Sequence, residues 1–231
     1  MGMTQTHEEP AAPAWGESKI TLAQANEFAQ RVTSLAADRE IVARNLFMFP
    51  PELKTRGLFF EGLSRVVAES KGPTAMANLQ AVAGLTQRTT AFRAYPHRDF
   101  YRLYYLASRL LYPSARLAES TRLTARTFFP IFRNSLLGRT MSALMGDRPS
   151  TLLPLLAKSY NLSVEGNDHK AELKSDHELL WTCEVEPIDW YTETFSGIVE
   201  GAMPANTPVQ IRVEERAIAG TRARYQFRLT W

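Results

Sequence analysis

The sequence predicts an α+β fold: an N-terminal helical layer packed on a four-stranded antiparallel sheet in the C-terminal third. Three observations carry this. Apolar residues recur at helical spacing from Leu22 to the neighbourhood of Ser159. After Asn161 the period drops to two. The alternating runs then come as two hairpins separated by a helical stretch. That order places helices on one face of an antiparallel sheet.

Residues 1–17 are polar, with Pro10, Pro13 and Gly16, and read as a tail ahead of one domain over 18–231. Residues 18–160 would be its helical part and 161–231 its sheet-containing part. Leu22, Ala25, Phe28, Ala29, Val32 and Leu35 form the first helical stripe, with Thr21 as its cap. The pattern breaks before Pro50-Pro51. Glu52–Ser70 is amphipathic through Phe59, Phe60, Leu63, Val66 and Val67, and Lys71-Gly72-Pro73 stops it. Residues 74–92 form a third, less periodic helix. Tyr95-Pro96 interrupts the chain, because proline disfavours helix at the residue before it.

Phe100, Leu103, Tyr104, Ala107, Leu110 and Leu111 then give a clean helical stripe, ended by Pro113. Helices follow over 115–129, Ile131–Met145 and Ser150–Ser159, with Gly146 placed as a helix-ending glycine. His169, Ala171 and Leu173 alternate with polar partners, and so do Leu179, Trp181, Cys183 and Val185, across a turn at 175–178. Residues 188–202 are helical again. Val209, Ile211 and Val213, then Tyr225, Phe227, Leu229 and Trp231, make the second hairpin around Ala219-Gly220.

Composition narrows the function classes. Apolar residues make up 45% and charged residues 22%, which is globular and far from the regime of disorder. One cysteine, Cys183, allows neither an internal disulfide nor a cysteine-based zinc site, and fits a reducing, cytoplasmic setting. Its place on the face of Leu179 and Trp181 reads as a buried structural thiol. No apolar run is long enough to span a bilayer, so no membrane is expected. Phosphate-binding glycine loops, nucleophile elbows and metalloprotease motifs are all missing, so the expectation is a non-enzyme with no catalytic residues, no cofactor and no metal.

Charge is the one uneven feature. Residues 88–139 hold ten arginines and no lysine, against only Asp99 and Glu119. Residues 140–231 hold an acidic excess. Arg98 and Arg102 share a helix face, as do Arg122 and Arg126, and Arg109 lies two turns beyond Arg102. Arginine forks suit carboxylates and phosphates, so these five are candidate anion-binding residues for a nucleotide or other anion. The alternative is that they pair with the acidic C-terminal third. A net charge of +3 without a recognition motif argues against nucleic acid.

Phe100, Tyr104, Phe195, Tyr225 and Phe227 are candidate lining residues of an apolar pocket between helices and sheet. The alternative is a filled core. Among the histidines, His97 opens an aromatic-rich helix, and is either a ligand for a prosthetic group or a solvated cap-region residue. His169 and His177 read as polar residues at the ends of a hairpin.

Four short segments also carry a resemblance. They are Arg56-Gly57-Leu58-Phe59-Phe60-Glu61-Gly62; Ala94-Tyr95-Pro96 opening a long helix; Gly138-Arg139 followed by Gly146-Asp147 and an apolar helix ending at Tyr160; and Phe195-Ser196-Gly197-Ile198-Val199-Glu200-Gly201 ahead of two strands ending in Trp231. In this order they resemble an uncharacterised paralogous family known chiefly from myxobacteria. The final third, with glycines spaced as in Gly197 and Gly201, resembles the fold group of haem-nitric-oxide-binding domains, vinyl reductase-type sensors and small vesicle-tethering subunits. The resemblance implies a sensor or interaction module, often dimeric through its helices, and transfers no catalytic residue. The main expectation is therefore a non-enzymatic cytoplasmic module that binds a protein partner as a homodimer. The alternatives are a small-molecule sensor using the apolar pocket, or an anion-binding protein.

Overall fold

A computed structural model describes residues 20–85, 88–136, 138–140 and 148–231. The expected tail, and the expected helix-ending glycine at Gly146, lie outside these residues. The chain opens with α1 (Leu22–Val32), where Thr21 and Gln24 form a reciprocal capping box. α2 (Ala36–Met48) is a separate helix, because the chain turns extended at Thr33 and Leu35. Thr33 Oγ1 accepts from the Leu35 N–H there at 3.2 Å, giving the backbone a local alternative to helix.

β1 (Lys54–Arg56) leads directly into α3 (Gly57–Lys71), so the expected start at Glu52 is corrected to strand followed by helix. α4 (Pro73–Ala83) ends at Gly84, whose left-handed backbone stops it well short of residue 92. β2 (Ala94–Pro96) precedes α5 (His97–Leu111). α6 (Leu117–Ala125) and α7 (Phe128–Asn134) replace the expected single helix over 115–129. α8 (Pro149–Ser163) is longer than expected and tolerates Pro154 early in its course.

β3 (Val164–Glu165), β4 (Asp168–Ser175), β5 (Glu178–Val185), α9 (Tyr191–Ala202), β6 (Gln210–Ala219) and β7 (Arg222–Thr230) complete the chain. Hairpin, helix, hairpin is the predicted order. The four strands run β4-β5-β7-β6, all antiparallel. Leu179, Trp181, Cys183 and Val185 on β5, with Ala223, Tyr225, Phe227 and Leu229 on β7, face the helices and are buried. The edge strand β6 departs from expectation. A bulge between Val213 and Glu215 breaks its alternation, and Val213 is 41% exposed.

A second, three-stranded sheet of order β2-β1-β3 goes beyond the sequence expectation. Thr55 is its centre, paired with Tyr95 on one side and Val164 on the other. It explains two of the short motifs. Gly57 lies so close to the 88–93 loop that a Cβ there would sit 2.1 Å from the Thr90 carbonyl oxygen. Arg56 Nη1 donates to the Phe92 carbonyl at 3.1 Å. Arg56-Gly57 and Ala94-Tyr95-Pro96 are thus two halves of one junction.

α5 is the central helix, buried on nearly every side from His97 to Tyr105. Asn45 of α2 fastens the start of α9 beside it. The Asn45 side chain donates to Tyr105 Oη (2.9 Å) and to the Asp189 carbonyl (3.0 Å), and accepts from the Asp189 N–H (2.9 Å). The next residue, Trp190, holds a φ of 61°, which a bulky side chain rarely adopts. The clamp is what holds it there. Asn45→Ala leaves those buried groups unpaired and will cost about 2 kcal/mol, lowering Tm by roughly 6 °C in a thermal melt. No helix among the described residues is long and apolar enough to cross a membrane.

Candidate functional site

A cavity of about 60 Å³ lies where helices and sheets meet. Five helices and two short strands build its wall. α5 contributes His97, Phe100 and Tyr101, and α7 contributes Phe128, Phe129 and Phe132. Phe59 comes from α3, Tyr160 from α8, Ile198 from α9 and Thr55 from β1. The rings pack edge-on and tilted, as their quadrupoles prefer. Phe100 lies 5.4 Å from Phe128, and Phe59 lies 6.1 Å from Phe128, centroid to centroid. The polar side chains of the lining are Thr55, Ser159, Ser163, Thr194, His97 and the phenols of Tyr101 and Tyr160.

His97 is buried, so the solvated alternative is corrected. Its backbone N–H donates to the Leu53 carbonyl at 2.9 Å, and its Nδ1 shares a 2.5 Å hydrogen bond with Thr55 Oγ1. Phe49 and Tyr101 flank the ring at 4.9 and 4.8 Å. Burial drives its pKa down to about 3, so the imidazole is neutral at physiological pH.

His169 is also buried, not exposed at a hairpin end. It stacks on Tyr160 at 4.2 Å, and Trp181 Nε1 donates to its Nδ1 at 3.2 Å. An indole N–H can only donate, so Nδ1 accepts and Nε2 carries the proton. That Nε2 has no hydrogen-bond partner among the described residues. Burial lowers this pKa too, to about 3, against the opposing pull of Asp168. Cys183 is buried, as expected, and shares a 3.3 Å contact with Tyr191 Oη. Burial pushes its pKa up to about 11, so the thiol is unreactive.

Of the five expected pocket residues, Phe100 lines the cavity. Tyr104, Phe195, Tyr225 and Phe227 pack in the filled core beside it, with Phe195 stacked on Phe227 at 4.1 Å. Tyr104 Oη donates to the Thr121 carbonyl at 2.6 Å. Sequence reasoning missed the α7 rings, although Phe128-Phe129 and Phe132 are spaced to share one helix face.

The five arginines do not converge. Arg98 reaches the Leu46 carbonyl at 2.7 Å and the Phe49 carbonyl, satisfying the C-terminal end of α2. Arg102 is buried against Asp99 at 3.4 Å and over the Phe28 ring. Arg109 donates to the Ala115 carbonyl at 3.1 Å. Arg122 and Arg126 both grip Glu200 of α9, with Arg126 Nε 2.8 Å from its carboxylate. Burial works against the charged form of Glu200, yet the two guanidiniums hold its pKa below the usual carboxylate range. Arg122 and Arg126 thus pair with the acidic C-terminal third.

The fold is shared with solved structures of haem-nitric-oxide/oxygen-binding (H-NOX) domains. An oxygen-binding H-NOX domain related to soluble guanylate cyclases, in its oxygen complex, superposes with a TM-score of 0.60 at 14% identity, over 76% of this chain and 94% of that one. A structure on modulating haem redox potential through porphyrin distortion gives a TM-score of 0.59 at 14% identity, over 76% and 99%. A structure on the molecular mechanism of H-NOX activation gives 0.57 at 13% identity, over 76% and 95%. At that identity the likeness concerns the fold, and it extends well beyond the final third that first resembled this group. No curated protein matches the chain. A family model described as protein of unknown function (DUF2378) matches residues 51–231, so the chain belongs to that uncharacterised family.

Proposed function

We propose that this protein is a non-enzymatic sensor domain that binds a small apolar ligand in the cavity between α5, α7, α8 and α9. The observation that carries the reading is the cavity itself. It is walled by aromatic rings, carries a few placed hydroxyls and a neutral imidazole, and sits where the helical and sheet-containing parts meet. Apolar concavities with few convergent polar groups are the usual form of a small-molecule site. The fold supports the reading, because one structural relative is described as oxygen-binding. The protein-partner module expected from the sequence gives way to it, because the shared fold and the cavity both suit a small ligand.

Haem, named for another structural relative, does not fit here. Sites for ligands of drug size occupy roughly 300–1,000 Å³, against about 60 Å³. The rings of Phe59, Phe100 and Phe128 fill the intervening space.

Xenon tests the site, because it enters apolar cavities too small for larger probes. At a few times its Kd, xenon will raise Tm by roughly 3 °C. Ile198→Phe, which fills the cavity, will abolish that gain. Equal melting temperatures of the unaltered protein with and without xenon would remove the cavity as a binding site.

A further inference from the structure

A second concavity, a groove of about 470 Å³, opens on the surface between α3, α7 and the end of α8. Two residues, Phe132 and Ser163, line both this groove and the inner cavity. They form a common wall, so the inner cavity and the groove are separated there by the thickness of a side chain. Phe132 is a buried ring on α7, stacked against Phe129 at 6.3 Å, and its side-chain bonds are the rotatable part of this wall.

The groove differs in chemistry from the cavity. Among its apolar members, Phe92, Leu136 and Leu162 are 74%, 66% and 48% exposed, an unusual concentration of large apolar surface in one place. Two guanidiniums, those of Arg56 and Arg65, border it. Arg56 is held by the Phe92 and Leu162 carbonyls and by Glu165 at 2.9 Å. Arg65 is exposed and pairs with no carboxylate among the described residues. Glu61 also borders the groove, one turn before Arg65 on α3. Because Glu165 neutralises Arg56, Arg65 is the groove's guanidinium with no ion-pair partner among the described residues, and Glu61 lies beside it on the same helix.

We propose that the ligand is a linear amphiphile: its aliphatic end enters the inner cavity past Phe132, and its carboxylate lies in the outer groove against Arg65. This rests on the reading of the inner cavity as a ligand site. A narrow passage between a ring and a serine admits an unbranched chain and excludes fused rings. The exposed apolar side chains cover the middle of that chain, and a guanidinium fork matches a carboxylate.

Calorimetric titration of the full chain with octanoate, decanoate and decanol tests it. Decanoate will bind, and affinity will rise roughly fourfold per methylene from octanoate. Decanol will bind about tenfold more weakly than decanoate, the loss of one charge-assisted hydrogen bond. Arg65→Glu will weaken decanoate by at least that factor and leave decanol unchanged. This variant lies on an exposed helix face, and its unchanged xenon response will show that the fold and the inner cavity are intact. Xenon stabilisation without any decanoate binding would overturn the amphiphile and leave the cavity reading standing. Loss of both would overturn both. Decanoate binding that ignores Arg65→Glu, or decanol binding as tightly as decanoate, would overturn the assignment of the carboxylate to Arg65.

Discussion

Lowering the pH from 7.5 to 5 will remove about 4 kcal/mol of folding stability, half of it through His97 and half through His169. Both imidazoles have folded pKa values depressed to about 3, against an ordinary value of 6.5. The depression comes from burial: His97 sits among Phe49, Phe100 and Tyr101, and His169 lies between Tyr160 and Trp181. A depressed histidine stays neutral in the folded chain while the unfolded chain takes up a proton. The stability is therefore fully present above pH 6.5 and drains away as pH falls from there towards 3. Glu186 works in the opposite direction, because burial raises its pKa and its protonation in the folded state offsets part of the loss. Urea melts across this range will show the slope. His97→Gln and His169→Gln will each reduce it by about half; a slope unchanged in both variants would place the titration elsewhere.

Gly201→Ala will cost about 3 kcal/mol, lowering Tm by roughly 9 °C. Gly197→Ala will behave alike. α9 crosses α6 so closely that a Cβ on Gly197 would sit 2.1 Å from the Arg122 carbonyl oxygen, and one on Gly201 2.0 Å from that of Arg126. The obstructing atoms are backbone and cannot swing aside. Separation of the helices would also pull Glu200 away from Arg122 and Arg126, whose guanidiniums hold it from the same segment of chain. Ser196→Ala on the same turn of α9 is the control and will change stability by less than about 0.5 kcal/mol. Calorimetric melts of the three variants distinguish close helix approach from a general sensitivity of α9, which would lower all three alike.

Much of the fold was legible because its signals are local and repetitive. The stripe Phe100, Leu103, Tyr104, Ala107 names a helix within one segment, and the alternation of Leu179, Trp181, Cys183 and Val185 names a half-buried strand. β1, β2 and β3 were not legible. Two or three residues are too short to show a period, and their pairing joins Thr55 to Tyr95 and to Val164 across long stretches of chain.

The candidate site was legible only in its material. The aromatic stock was visible, and of the expected pocket residues Phe100 lines the cavity. The ring-bearing face of α7 and the burial of His97 depend on how helices pack, which no single segment encodes. The arginines make the same point from the other side. Clustering in sequence suggested one anion site, yet Arg98 satisfies the end of α2, Arg102 is buried against Asp99, and Arg122 and Arg126 meet a carboxylate on α9. The sequence by itself determined the helical stripes, the two hairpins and the absence of any familiar catalytic motif, because period and residue type are local properties. Tertiary structure alone decided which guanidinium faces a carbonyl, which histidine is dry and where the core leaves a space, because these depend on atoms brought together from distant parts of the chain.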